Sequence, residues 1–148
     1  DKIDTEGLDM LVVDYLQLLQ SKQKFEMDYM RIGYVSRMLK SMSLDFNIPI
    51  IVLAQVGRSS ANDMPNLAEL RGSGDIEQDA DNVIFLHRPD SSGDKYVRPD
   101  NRALFDALKQ QNKQYIVMDI AKQRQGETGI ISVVFDPAHM QYTSIVRE

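Results

Sequence analysis

Asp14 is the first polar residue after the apolar run Met10 to Val13. A carboxylate at the end of such a strand can hold Mg²⁺ through water; it can equally cap the segment that follows. Gln55 closes a second apolar run, "IPIIVLAQ". A neutral amide there donates and accepts, so it suits sensing a γ-phosphate or orienting an attacking water, although glutamines end strands for other reasons too. In "AKQRQG" Lys122 and Arg124 are one residue apart, and on an extended backbone they point the same way. They could clamp a phosphate, with arginine suited to a transition-state contact supplied from a neighbouring subunit, or they could form the solvated rim of a hairpin. Arg71 precedes Gly72, Ser73 and Gly74. One guanidinium beside exposed backbone N–H groups suits a nucleic-acid phosphate, while the plain alternative is a flexible turn. His87 and His139 are the only histidines and have no ligand spacing to each other, so both are expected to be structural.

These side chains need a scaffold that brings strand ends together. The run Met10 to Val13 is apolar on both faces, as in a central parallel strand. From Glu26 to Phe46 the apolar residues Ile32, Val35, Met38, Leu39, Met42 and Phe46 recur at steps of three and four. That spacing predicts an amphipathic helix with Arg31, Arg37 and Lys40 on its outer face. Asn47 ends it and Pro49 opens the next strand, giving a strand–helix–strand crossover. Asn66 can cap a short "LAEL" turn, and "DNVIFLH" predicts a third strand. The stretch "RPDSSGDKYVRPDN" has loop composition. Leu104, Phe105 and Leu108 then mark a helix, before "QYIVMDIAKQ", the turn "RQGETG" and "IISVVFD", which together read as a hairpin. "MQYTSIV" could add an edge strand. The expected fold is α/β: a mostly parallel sheet with flanking helices and a C-terminal antiparallel hairpin. Such sheets bind ligands beyond the carboxyl ends of their strands, where Asp14, Gln55 and the residues after His87 fall.

Composition narrows the choices. The chain has 148 residues, 43% hydrophobic and 26% charged, which is ordinary for a globular domain. Its lack of cysteine removes disulfides, thiolate metal sites and thiol catalysis, and suits a reducing cytoplasm. No run approaches the roughly 20 apolar residues that cross a bilayer, so no membrane partner is expected. A formal net charge of −5 argues against a broad DNA-binding face; a few contacts repeated by several copies around one strand remain compatible with it. The phosphate-cradling pattern G-x-x-x-x-G-K-[ST] is absent.

In order along the chain, "LDMLVVDYLQLL", "NIPIIVLAQVGR", "LRGSGDIEQDADNVIFLHR" and "IAKQRQGETG" resemble the Walker B strand, sensor strand, DNA-binding loop and arginine-finger hairpin of the DnaB-type replicative DNA helicases. The resemblance runs from Leu8 to about Phe135 and implies a RecA-like ATPase fold. It implies that Asp14 is the Walker B aspartate acting on Mg²⁺ through water and that Gln55 senses the γ-phosphate of ATP. It further implies that Lys122 and Arg124 reach the ATP site of the adjacent subunit of a homo-hexamer. Arg71 and the backbone of Gly72, Ser73 and Gly74 would meet a phosphate of single-stranded DNA, and primase and a helicase loader become expected partners. The Walker A segment, the upstream catalytic glutamate and the N-terminal helical domain of that family have no counterpart here. Residues 1–148 are therefore expected to be the part of the motor domain from Walker B to the arginine-finger hairpin, inactive alone. Gly72 stands where many relatives carry glutamate, and residues 89–114 are longer than the family's usual connection, with no assigned task. The expected function is ATP-driven 5′-to-3′ translocation and duplex unwinding. The alternatives are a non-catalytic interaction module of the same fold and a recombinase- or circadian-clock-type ATPase, which "GSGDIEQDAD" disfavours.

Overall fold

A computed structural model describes residues 7–56, 64–70, 74–89 and 95–145. The chain divides into two compact units, residues 1–59 with 67–81, and residues 60–66 with 82–148.

The first unit is a strand–helix–strand crossover. Strand β1 (Leu11–Val13) pairs in parallel with β2 (Ile50–Val52), Val12 opposite Ile51. Between them lies α1 (Asp28–Asp45). Ile32 and Val35 turn inward with Leu16 to form a small core, against which Leu19, Tyr34, Leu39 and Ile76 pack. The stop signal of α1 is built from sequence: Asn47 adopts φ 50°, a left-handed conformation that asparagine tolerates. That turns the chain so the Ile48 N–H reaches the Ser43 carbonyl (3.2 Å) and the Asn47 N–H reaches that of Leu44 (3.3 Å), a Schellman motif followed at once by Pro49. Burial of both strand faces is not met among the described residues. Val12 and Ile51 are each 52% exposed, because a two-stranded sheet has no further strands to carry covering helices.

The outer-face expectation holds for Arg37, whose side chain is 64% exposed, but is corrected for Arg31 and Lys40, at 15% and 25%. Arg31 bends back onto the segment after β1, while Arg37 meets Asp75 (3.2 Å) and Lys40 meets Asp81 (2.6 Å). Buried Ser36 donates to Asp79 at 2.7 Å. These acids belong to or follow α2 (Gly74–Asp79), so the acidic run after the glycines docks that short helix onto α1. A 3₁₀ turn, Leu67–Glu69, precedes it.

The second unit is an antiparallel sheet in the order β3 (Asn82–His87), β4 (Gln114–Gln123), β5 (Gly129–Asp136), β6 (Gln141–Ser144). The α/β class stands, but among the described residues the parallel part is a single pair and the antiparallel part has four strands. In β3, Val83, Phe85 and His87 are buried while Asn82, Ile84 and Leu86 are exposed, the alternation of a sheet covered on one face. The cover is α3 (Arg102–Gln110), whose Phe105 and Leu108 pack with Met64, Val97, Tyr115 and Val117. Phe105 meets Tyr115 edge-on at 5.8 Å, and Asn101 Nδ2 donates to the Tyr115 hydroxyl at 2.8 Å. The 89–114 stretch thus supplies much of this unit's core. His87 is buried edge-on to Tyr96 at 5.2 Å, and His139 pairs with Asp136 at 3.1 Å in the turn before β6; both are structural contacts.

Candidate nucleotide site

The site begins where β1 and β2 end. Their pairing continues beyond the strands: the Leu53 N–H donates to the Val13 carbonyl (2.9 Å) and the Leu16 N–H to the Leu53 carbonyl (2.8 Å). The two segments therefore leave the sheet side by side, with Asp14 on one and Gln55 on the other. Both residues are exposed at the carboxyl end of the parallel pair, where a ligand can reach them. The Asp14–Tyr15 peptide is cis. Buried Leu16 then anchors a 3₁₀ turn, Leu16–Leu18.

Two residues without a role in the sequence reading hold this corner. The Gln17 amide bridges the Gln55 main chain: its Nε2 donates to the Gln55 carbonyl at 3.0 Å, and its Oε1 accepts from the Gln55 N–H at 3.2 Å. Arg31 then fixes Gln17. Its guanidinium donates to the carbonyls of Leu19 and Gln17 and to Asp28. That side chain is only 15% exposed, so the cation is engaged by the turn rather than offered to solvent. Neither role carries a sequence signal, because both partners are main-chain atoms 12 to 38 residues away. Among the described residues, no group of three or more histidines, aspartates or glutamates gathers around a point where a metal could sit. One carboxylate acting through water needs no such cage.

Lys122 and Arg124 lie in the other unit. Lys122 is within β4, and Arg124 opens the turn after it. The register shifts there: Ile84 faces Ile120 but Val83 faces Lys122, leaving Ala121 as a bulge. Opposed residues share a face, so the bulge moves Lys122 to the side opposite Ile120 and re-aims it at the strand's end. Arg124 lies in the turn rather than on the extended strand, so strand alternation does not place it relative to Lys122. Of the residues expected to meet DNA, Arg71, Gly72 and Ser73 lie outside the described residues, and Gly74 is the first residue of α2.

The model of the DnaB-like helicase C terminal domain family matches residues 2–144. The chain belongs to that family. Among its relatives, the replicative DNA helicase DnaB of Treponema pallidum (strain Nichols) is 34% identical over 137 residues, which are 93% of this chain and 26% of that protein. DnaB of Geobacillus stearothermophilus is 35% identical over 145 residues, 95% of this chain and 29% of its own length. The chain thus spans under a third of these helicases. Among solved structures, a DnaB-like replicative helicase described with its primase interactions superimposes with a TM-score of 0.74 at 28% identity, covering 93% of this chain and 31% of that one. A second solved structure, described as an ATPase domain, gives a TM-score of 0.74 at 30% identity, over 93% of this chain and 44% of its own. These neighbours bear out the RecA-like α/β fold. No helix among the described residues is long and apolar enough to cross a membrane.

Proposed function

We propose that this DnaB-family chain is the second half of a ring-forming motor that couples ATP hydrolysis to 5′-to-3′ movement on single-stranded DNA and to unwinding of duplex. The observation that supports it best is the corner built at the ends of β1 and β2, where main-chain bonds running past the strands keep Asp14 beside the Gln55 segment. Asp14 would act on Mg²⁺ through water, and its exposure at a strand end fits that duty. Bound with ATP, the ion would supply charge neutralisation at the phosphate oxygens. Gln55 would read the γ-phosphate, while Lys122 and Arg124 would serve the site of the next subunit in a homo-hexamer. Arg71 with Gly72, Ser73 and Gly74 would contact DNA. Primase and a loader are the partners this role calls for, in the cytoplasm.

The chain contains no phosphate-cradling loop, so by itself it should turn over no ATP. In the complete motor, Asp14→Asn should lower DNA-stimulated ATP turnover by about a hundredfold or more, the equivalent of several kcal/mol of lost charge stabilisation. Wild-type turnover in that variant would overturn the role given to Asp14.

A further inference from the structure

We infer that Gln17 is a positioning residue for nucleotide sensing, holding the Gln55 main chain through a two-point amide clamp. The inference rests on the reading of Gln55 as the γ-phosphate sensor. The clamp is reciprocal: Gln17 Nε2 donates to the Gln55 carbonyl at 3.0 Å while Oε1 accepts from the Gln55 N–H at 3.2 Å. Only a primary amide supplies a donor and an acceptor in that fork; a carboxylate of the same length has no donor to give. Gln55 lies outside any strand or helix, and within its own segment the nearest ladder bonds are at Leu53. The clamp therefore sets the peptide plane from which the Gln55 side chain leaves. Gln17 is in turn set from behind, since Arg31 Nη2 donates to the Gln17 carbonyl at 3.1 Å and pairs with Asp28 at 2.7 Å. Asp28, Arg31, Gln17 and Gln55 form one line of polar contacts from α1 to the candidate sensor, so a displacement of α1 would be felt at Gln55.

The test uses the complete motor, with Gln17→Met, which keeps the length, and Gln17→Glu, which removes the donor. Both should lower kcat about tenfold, the scale of two net hydrogen bonds. The preference for a non-hydrolysable ATP analogue over ADP should fall alongside kcat, a readout that general loosening of the fold would not move. Gln55→Ala should give the same signature, and adding Gln17→Met to it should cost nothing further, because the clamp acts only through Gln55. Hydrogen-exchange protection of the Leu16 amide checks that the corner is still folded. If the Gln17 variants keep wild-type kcat and analogue preference while Gln55→Ala loses both, the clamp is refuted and the sensor stands. Additive losses in the double variant refute it as well. If Gln55→Ala itself loses neither, the sensor reading fails and takes the clamp with it.

Discussion

Replacing Arg31 by methionine tests how the corner is held. The substitution keeps most of the apolar stem but removes the guanidinium bonds to the Gln17 and Leu19 carbonyls. Hydrogen bonds to a charged group are each worth about 1.5–3 kcal/mol. Both carbonyls lie on partly buried residues, so water can replace part of what is lost and the lower end applies. The Asp28 partner is 72% exposed, and that i,i+3 pair adds only a few tenths of a kcal/mol. The expected loss is therefore about 3 kcal/mol, confined to the 3₁₀ turn, which corresponds to a local opening equilibrium shifted about 150-fold and exchange faster by the same factor. Amide hydrogen exchange reads it directly at Leu18 and Leu19, whose N–H groups bond to Tyr15 and Leu16 carbonyls at 3.0 and 3.1 Å. Amides of β4 and β5 should exchange as before. Unchanged protection at Leu18 and Leu19, or equal loss throughout the chain, would refute the claim that Arg31 secures this turn.

Other expectations concern the second unit. Phe105→Ala removes a ring that is 5% exposed in the core of that unit, and should cost about 3–5 kcal/mol in urea unfolding followed at the sheet; a cost below about 1 kcal/mol would mean the core is not closed by α3. At Asp136, the hydrogen bond with His139 holds the carboxyl below its ordinary value of 3.8, against the upward push of burial, with help from the Ala138 N–H and the charges of His139 and Lys113. Because the folded value is the lower one, this stabilisation is present above pH 3.8 and disappears as pH falls through the lowered value. Asp136→Asn should flatten that acid limb of the stability curve, and an unaltered limb would show the linkage lies elsewhere.

Much of the scaffold was legible because it follows from short-range pattern. The three- and four-residue apolar steps located α1, and Asn47 before Pro49 located its end. The glycine-containing turn between two apolar runs located the β4–β5 hairpin. What escaped depends on partners distant in sequence. "NVIFL" is apolar on both faces, so periodicity could not tell that Ile84 and Leu86 would remain exposed in an antiparallel strand. Nothing local reveals that Asp75, Asp79 and Asp81 answer Arg37, Ser36 and Lys40. The bulge at Ala121 is set by register with β3 and leaves no mark in "DIAKQ". At the candidate site, Asp14 and Gln55 were visible as the first polar residues beyond apolar runs. Gln17 and Arg31 were not, because main-chain acceptors have no sequence.

The central claim is that the β4–β5 hairpin of one copy completes the site of another. In the complete motor, Asp14→Asn and Arg124→Ala should each abolish DNA-stimulated ATP turnover. Mixed in equal amounts and allowed to assemble, they leave about one interface in four with an intact Asp14 facing an intact Arg124. Turnover should then return to a comparable fraction of wild type. Mixtures as inactive as either variant alone would contradict the claim.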